Sequence, residues 1–326
     1  MPRRCRRTPV LVTALLAVAV AGCSPQPAPH WGGATDAPSV PAPTTSAAAP
    51  APSGSAPAEP FAVGVRQLDL ARDDRALPVT LWYPATGDAG GTPRTGVRAA
   101  AGRFPVVAFS HGLTGTPQDY AAVLTRWAAA GFVVAAPRFP KTSGTATQPD
   151  VFDVLNQPAD VSFVLTEVLA LDGRDGDPLA GRLDTDRVAA AGHSAGGITT
   201  LGLFTLARDE RLDAGIVLAG SALGVGTTFS GAAAPQLFVH GELDEVVSYA
   251  SGKAAYDQVP WPKAMLSLPD GDHGRSLLRS GDPAFEVVVD TTADFLRWTL
   301  YGDPDARRRL PDGAGRGGVA SFDDRL

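Results

Sequence analysis

Ser194 stands in Gly192-His193-Ser194-Ala195-Gly196-Gly197, directly after the short apolar run 188–191. A serine hydroxyl attacks a carbonyl carbon when a neighbouring imidazole takes its proton, and a carboxylate must orient that imidazole and stabilise its charged form. Glycines on both sides of Ser194 permit a sharp strand-to-helix turn that lifts the hydroxyl clear of the backbone. The same pattern also occurs as a glycine-rich connection with an incidental serine, so the other groups decide the chemistry.

Those groups follow in chain order. The run 236–240 leads into Gly241-Glu242-Leu243-Asp244-Glu245, and the run 264–268 leads into Pro269-Asp270-Gly271-Asp272-His273-Gly274. His273 has the late, strand-terminal, glycine-flanked position expected of the base. His111, His193 and His240 fall in strand-end turns that suit structural hydrogen bonding, and His30 lies in a Pro/Ala-rich segment. Three acids compete to orient the base: Glu242, Asp244 and Glu245. Asp270 and Asp272 are read as shaping the turn before His273. Acyl transfer also needs two backbone N–H groups aimed where the carbonyl oxygen gains charge. The residue after the nucleophile, Ala195, supplies one, and the loop His111-Gly112-Leu113 supplies the other, assigned to the Leu113 N–H. The histidines show no metal-binding spacing, and no glycine cluster carries the Lys-Ser/Thr ending of a phosphate-binding loop.

Apolar patterning sets out the elements that must hold these groups. Strands are predicted over 63–70, 77–83, 104–109, 132–136, 188–191, 215–219, 236–240 and 264–268. Helices are predicted over 118–130, 160–171, 198–208 and 284–300. The first two strands mix apolar and polar residues and suit an antiparallel edge pair, whereas the later runs are continuously apolar, as in strands covered on both faces. Helices alternate with these strands, which indicates an α/β sheet with helices on both faces and its chemistry at the C-terminal strand edge.

Outside this region the composition changes. Residues 1–22 carry Arg3, Arg4, Arg6 and Arg7 and then an apolar run over 10–21, too short for a comfortable membrane span, which describes a secretory signal. Val20-Ala21-Gly22-Cys23 resembles a bacterial lipobox, with Cys23 as the lipidated residue. Residues 24–60 are almost wholly Pro, Ala, Ser, Thr and Gly and are expected to form an unfolded tether spanning about 30–35 Å. Residues 61–302 form the expected catalytic domain, and residues 303–326 are expected to be a flexible tail. The only other cysteine is Cys5, so the folded domain has neither a disulfide nor a thiol nucleophile. Removing residues 1–22 takes four of the 28 basic residues and none of the 34 acidic ones, leaving a formal charge of −10. Such a surface disfavours nucleic acid and gives no electrostatic attraction to anionic lipid, so membrane attachment would come from the N-terminal lipid.

Phe109-Ser110-His111-Gly112-Leu113, the Ser194 motif and Gly241-Glu242-Leu243-Asp244 resemble those of α/β-hydrolases. The segments 77–84 and 158–165 are similar to those of bacterial proteins of the platelet-activating factor acetylhydrolase and "predicted dienelactone hydrolase" group. The resemblance implies the α/β-hydrolase fold, a mostly parallel central sheet with helices on both faces. It favours Asp244 as the acid, since its Gly-x-x-Asp-x-x-Val setting recurs there, and so gives a Ser194–His273–Asp244 triad. It also implies a serine esterase without metal or organic cofactor; the expected substrates are small-molecule or lipid esters, and the expected state is a monomer. Dienelactone hydrolases themselves use a cysteine nucleophile where this chain has Ser194. Lipases, phospholipid-directed enzymes, cutinases and polyester hydrolases share the triad, although the secreted polyesterases commonly carry a disulfide this domain cannot form. A non-catalytic envelope lipoprotein is the remaining alternative. The expected location is the outer face of the cell membrane as a lipoprotein, or otherwise the medium after secretion. Loops 138–157 and 221–231 are read as lining a moderately open apolar cleft.

Overall fold

The structure is a computed structural model and describes residues 55–326. The signal, Cys23 and residues 24–54 lie outside the described residues.

The strands are β1 (Ala62–Arg72), β2 (Arg75–Ala85), β3 (Phe104–Ser110), β4 (Val133–Pro137), β5 (Leu183–His193), β6 (Leu212–Leu218), β7 (Gln236–Gly241), β8 (Lys263–Leu268) and β9 (Ser321–Arg325). The helices are α1 (Ala121–Ala129), α2 (Gln157–Leu169), α3 (Ala195–Gly202), α4 (Tyr249–Gln258), α5 (Arg275–Leu278), α6 (Phe285–Tyr301) and α7 (Pro304–Ala314). The strands form one sheet in the order β1-β2-β4-β3-β5-β6-β7-β8-β9. From β4 to β8 neighbouring strands run parallel, and antiparallel pairs close both ends. This is the α/β-hydrolase fold.

Alternate side chains of the central strands enter two apolar layers, which is why these runs are continuously apolar. Val107, Phe109, Ala189 and Ile216 face α1 and α6, where Trp127, Phe295 and Leu296 pack. Val106, Ala108, Val188 and Ala190 face α2, where Val161, Val164 and Leu165 pack. Val217, Phe238 and Met265 continue that second layer beneath α3 and α4. Strands buried on both sides leave the strand ends as the place where polar side chains can meet.

Three expectations change. Residues 303–326 are folded: Gly302 ends α6 at φ 69°, Asp303 caps α7 through the Asp305 and Ala306 amides, and Pro304 opens that helix. The chain then returns as β9, antiparallel to β8, with Met265 opposite Asp323. The last residues of the expected tether are also seated on the domain, since Arg297 donates to the Pro57 carbonyl at 2.8 Å and Ala56 packs on the core. Finally, the helix after Ser194 spans Ala195–Gly202 rather than 198–208, so it begins immediately behind the serine.

Candidate active site

Ser194 is the sharp point between β5 and α3. Its backbone sits at φ 57°, ψ −119°, a region that costs a non-glycine residue about 1–3 kcal/mol and persists only where the surroundings enforce it. The glycines enforce it. A Cβ on Gly192 would lie 2.1 Å from the Gly196 carbonyl oxygen, and one on Gly196 would lie 2.0 Å from that of Ser110. One on Gly197 would lie 2.9 Å from the Gly220 Cα. The Ser194 N–H donates to the Leu218 carbonyl at 2.9 Å, which ties the turn to the neighbouring strand.

The Ser194 hydroxyl donates to His273 Nε2 at 2.8 Å, and His273 Nδ1–H donates to Asp244 Oδ2 at 2.7 Å. Ser194, Asp244 and His273 therefore meet, each just beyond the C-terminal end of a parallel strand. The other Asp244 oxygen accepts from the Val246 and Val247 amides, both at 2.8 Å. His240 Nε2 donates chiefly to the Val247 carbonyl at 2.8 Å and stands 3.3 Å from Asp244. Asp244 is buried, with its charge held by oriented dipoles, whereas Glu242 and Glu245 point into solvent. Asp272 accepts from the Gly274 and Arg275 amides, which forms the turn that presents His273.

Behind the serine, the Ala195 N–H is in the first turn of α3 and has no intrahelical acceptor. The Leu113 N–H takes no protein acceptor among the described residues. Its loop is fixed by local bonds: Gly115 N–H to the Gly112 carbonyl at 3.0 Å, and Thr114 N–H to the Thr142 carbonyl at 2.6 Å. His111 Nε2 accepts from the Phe139 amide at 3.1 Å, so Nδ1–H donates to the Gly112 carbonyl at 2.8 Å. Burial pulls His111 down to about 4 and keeps it neutral.

Two further side chains reach this centre. Tyr120, which reads in sequence as part of an apolar helix stripe, lies at the start of α1 with its hydroxyl 2.8 Å from His193 Nδ1. His193 Nε2 lies 2.6 Å from the His273 carbonyl oxygen, and the two imidazole rings pack with centroids 4.8 Å apart. Burial also pulls His193 down to about 4. No sequence signal separated Tyr120 from the core residues around it.

A cleft of 710 Å³ opens beside His273, between Leu243, Val246, Leu278 and the charged side chains Glu245, Asp270, Asp272, Arg275 and Arg279. The exposed large apolar residues gather at this end of the sheet. Besides those three they are Leu113, Val151, Phe152, Leu155 and Leu223, and among the described residues only Leu206 lies apart. A Cβ on Gly224 would stand 3.1 Å from Leu155, so the 138–157 and 221–231 loops adjoin. Among the described residues no group of three His, Cys, Asp or Glu is placed to hold a metal ion, and no helix is long and apolar enough to cross a membrane.

Residues 76–285 match the family PETase, described as PET hydrolase-like. The chain is also similar to "Cutinase est2" of Thermobifida alba, with 30% identity over 198 residues. That match covers 59% of this chain and 59% of the relative's length.

Proposed function

The chain belongs to the PET hydrolase-like family, and from that premise we propose that it is a serine hydrolase of carboxylic esters whose preferred substrate is an apolar, water-insoluble ester such as a polyester. The observation that carries the reading is the unbroken hydrogen-bond line from Ser194 through His273 to Asp244. In the proposed mechanism His273 Nε2 takes the Ser194 proton as Oγ attacks the ester carbonyl. Asp244, held by two amides, stabilises the imidazolium. The Leu113 and Ala195 N–H groups receive the oxyanion. Collapse expels the alcohol, protonated by His273, and leaves an acyl-serine. His273 then activates water, and the acid leaves as Ser194 regains its proton.

Polyester is favoured over the small-molecule or lipid esters expected from the sequence on two grounds. The family and the cutinase relative point to it. The apolar rim also suits adsorption to a solid better than capture of a dissolved molecule. α7 and β9 close the end of the sheet without a covalent link, so the domain needs no disulfide there. The test is release of soluble acids from aliphatic and aromatic polyester films by the wild-type protein, beside nitrophenyl esters of graded chain length. Turnover that falls steadily with acyl length and never touches a film overturns the substrate reading.

We also propose that the protein is exported and anchored through Cys23. Cys23→Ser is then expected to move it from the membrane fraction to the soluble fraction, and unchanged partition contradicts the anchor.

A further inference from the structure

We propose that Tyr120 and His193 are positioning residues that tie the oxyanion loop, the nucleophile turn and the His273 loop into one rigid unit; this rests on the ester-hydrolase reading of Ser194. Proton count fixes the direction of every bond along the line. The Gly112 N–H points to Tyr120 Oη at 3.1 Å and must be the donor, so the phenol proton is free to go only to His193 Nδ1, 2.8 Å away. His193 Nδ1 is then an acceptor, and the neutral ring carries its hydrogen on Nε2, 2.6 Å from the His273 carbonyl oxygen. Each group is used in one direction with nothing left over.

The line joins three segments far apart in sequence. Gly112 is next to Leu113, His193 is next to Ser194, and the terminal acceptor is the backbone of the base itself. Tyr120 and His193 are both buried, so water offers no substitute partner. Glycines permit the approach at both ends: a Cβ on Gly112 would stand 3.1 Å from Tyr120 Oη, and one on Gly274 would stand 3.3 Å from His193 Nε2. A shift of the His193 ring would therefore move both the carbonyl of His273 and the amides flanking Leu113.

A purely structural role for this pair would cost stability and leave turnover alone, and Tyr301 supplies the comparison. Its buried hydroxyl donates to the Gly131 carbonyl at 2.6 Å, beside the N-terminal end of β4 and so at the opposite edge of the sheet. Tyr120→Phe is expected to lower kcat by about ten- to a hundredfold, as for a small misplacement of reacting groups. KM should stay within about twofold, and a boronic acid that mimics the tetrahedral state should weaken in step with kcat. Tyr301→Phe should keep wild-type kcat. Tyr120→Phe combined with His193→Leu should lose no more than His193→Leu alone, because both cut one line. Wild-type kcat in Tyr120→Phe, or full additivity in the double variant, overturns the proposal. A second readout needs neither a variant nor turnover. Imidazole ¹⁵N shifts of the wild-type protein should place the His193 proton on Nε2, and a proton on Nδ1 breaks the line at its centre. If the wild-type protein and Ser194→Ala are equally inert on esters, the ester-hydrolase reading fails while the tautomer measurement still decides this one.

Discussion

The structure brings Asp244 against His273, a choice among acids that spacing left open. Three acids stand within four residues, yet only Asp244 is buried with both oxygens occupied: two amides on one and His273 on the other. Asp244→Asn removes the charge and offers the wrong partner to His273 Nδ1, so kcat should fall by about 10⁴-fold with the fold retained. Glu242→Gln and Glu245→Gln should stay near wild type in the same steady-state assay. An active Asp244→Asn beside an inert Glu242→Gln would show that another acid orients the base. Ser194, Asp244 and His273 could be put forward from the sequence because each follows an apolar run within five residues and has a glycine within three positions. Tyr120 could not, because a tyrosine in a helical stripe looks like core, and only the strand-end packing brings its hydroxyl to His193.

Among the elements, the β1–β2 hairpin is clamped to the segment that carries the rim. Arg75 at the start of β2 forks onto Asp153 and Asp160, whose side chains are 1% and 0% exposed, and Arg72 adds a bond to Asp160. Burial alone would raise the Asp153 carboxyl, but the bonds from Arg75 and Asn156 together with the nearby Arg75 and Lys141 charges outweigh that and hold it below the usual carboxylate range. Arg75→Ala removes the shared partner of two buried acids, leaving Asp160 to Arg72 and Asp153 to Asn156 alone, and should destabilise the fold by about 3 kcal/mol. Urea unfolding measures this, and a loss below about 1 kcal/mol, the worth of a surface pair, would contradict it. The apolar strands were legible as elements because burial on both faces demands an unbroken run. Two others were not. Glycine, lysine and aspartate in α4 obscure its periodicity, although Gly252 is needed there because a Cβ would lie 2.2 Å from His240. Likewise β9 is polar and half exposed, and it becomes a strand only because β8 offers it an open edge.

For the molecule as a whole, stability is tied to pH through its buried histidines. His111 and His193 are buried neutral, with folded values near 4 against an ordinary 6.5, and burial lowers His240 as well. Between those limits the unfolded chain binds more protons than the folded one, so stability must rise with pH across that window. It is complete above pH 6.5 and is lost progressively down to about pH 4. Each of the two deeply buried histidines contributes a slope of up to about 1.4 kcal/mol per pH unit. Urea midpoints measured from pH 7 to 4 should fall steadily, and a flat profile would mean that these imidazoles are not held neutral. The proposed adsorption would use the apolar rim. Replacing Phe152 and Leu223 together by serine should reduce hydrolysis of polyester film more than hydrolysis of dissolved nitrophenyl butyrate, and equal losses on both would contradict adsorption through this face.

The catalytic expectations depend on the Ser194 hydroxyl being the nucleophile. The direct measurement is initial-rate nitrophenol release by the wild-type protein and by Ser194→Ala, purified in parallel and matched in far-ultraviolet circular dichroism. Steady turnover by the first and a fall of about 10⁴-fold or more in the second is the expected result. Equal rates in the two proteins would contradict it.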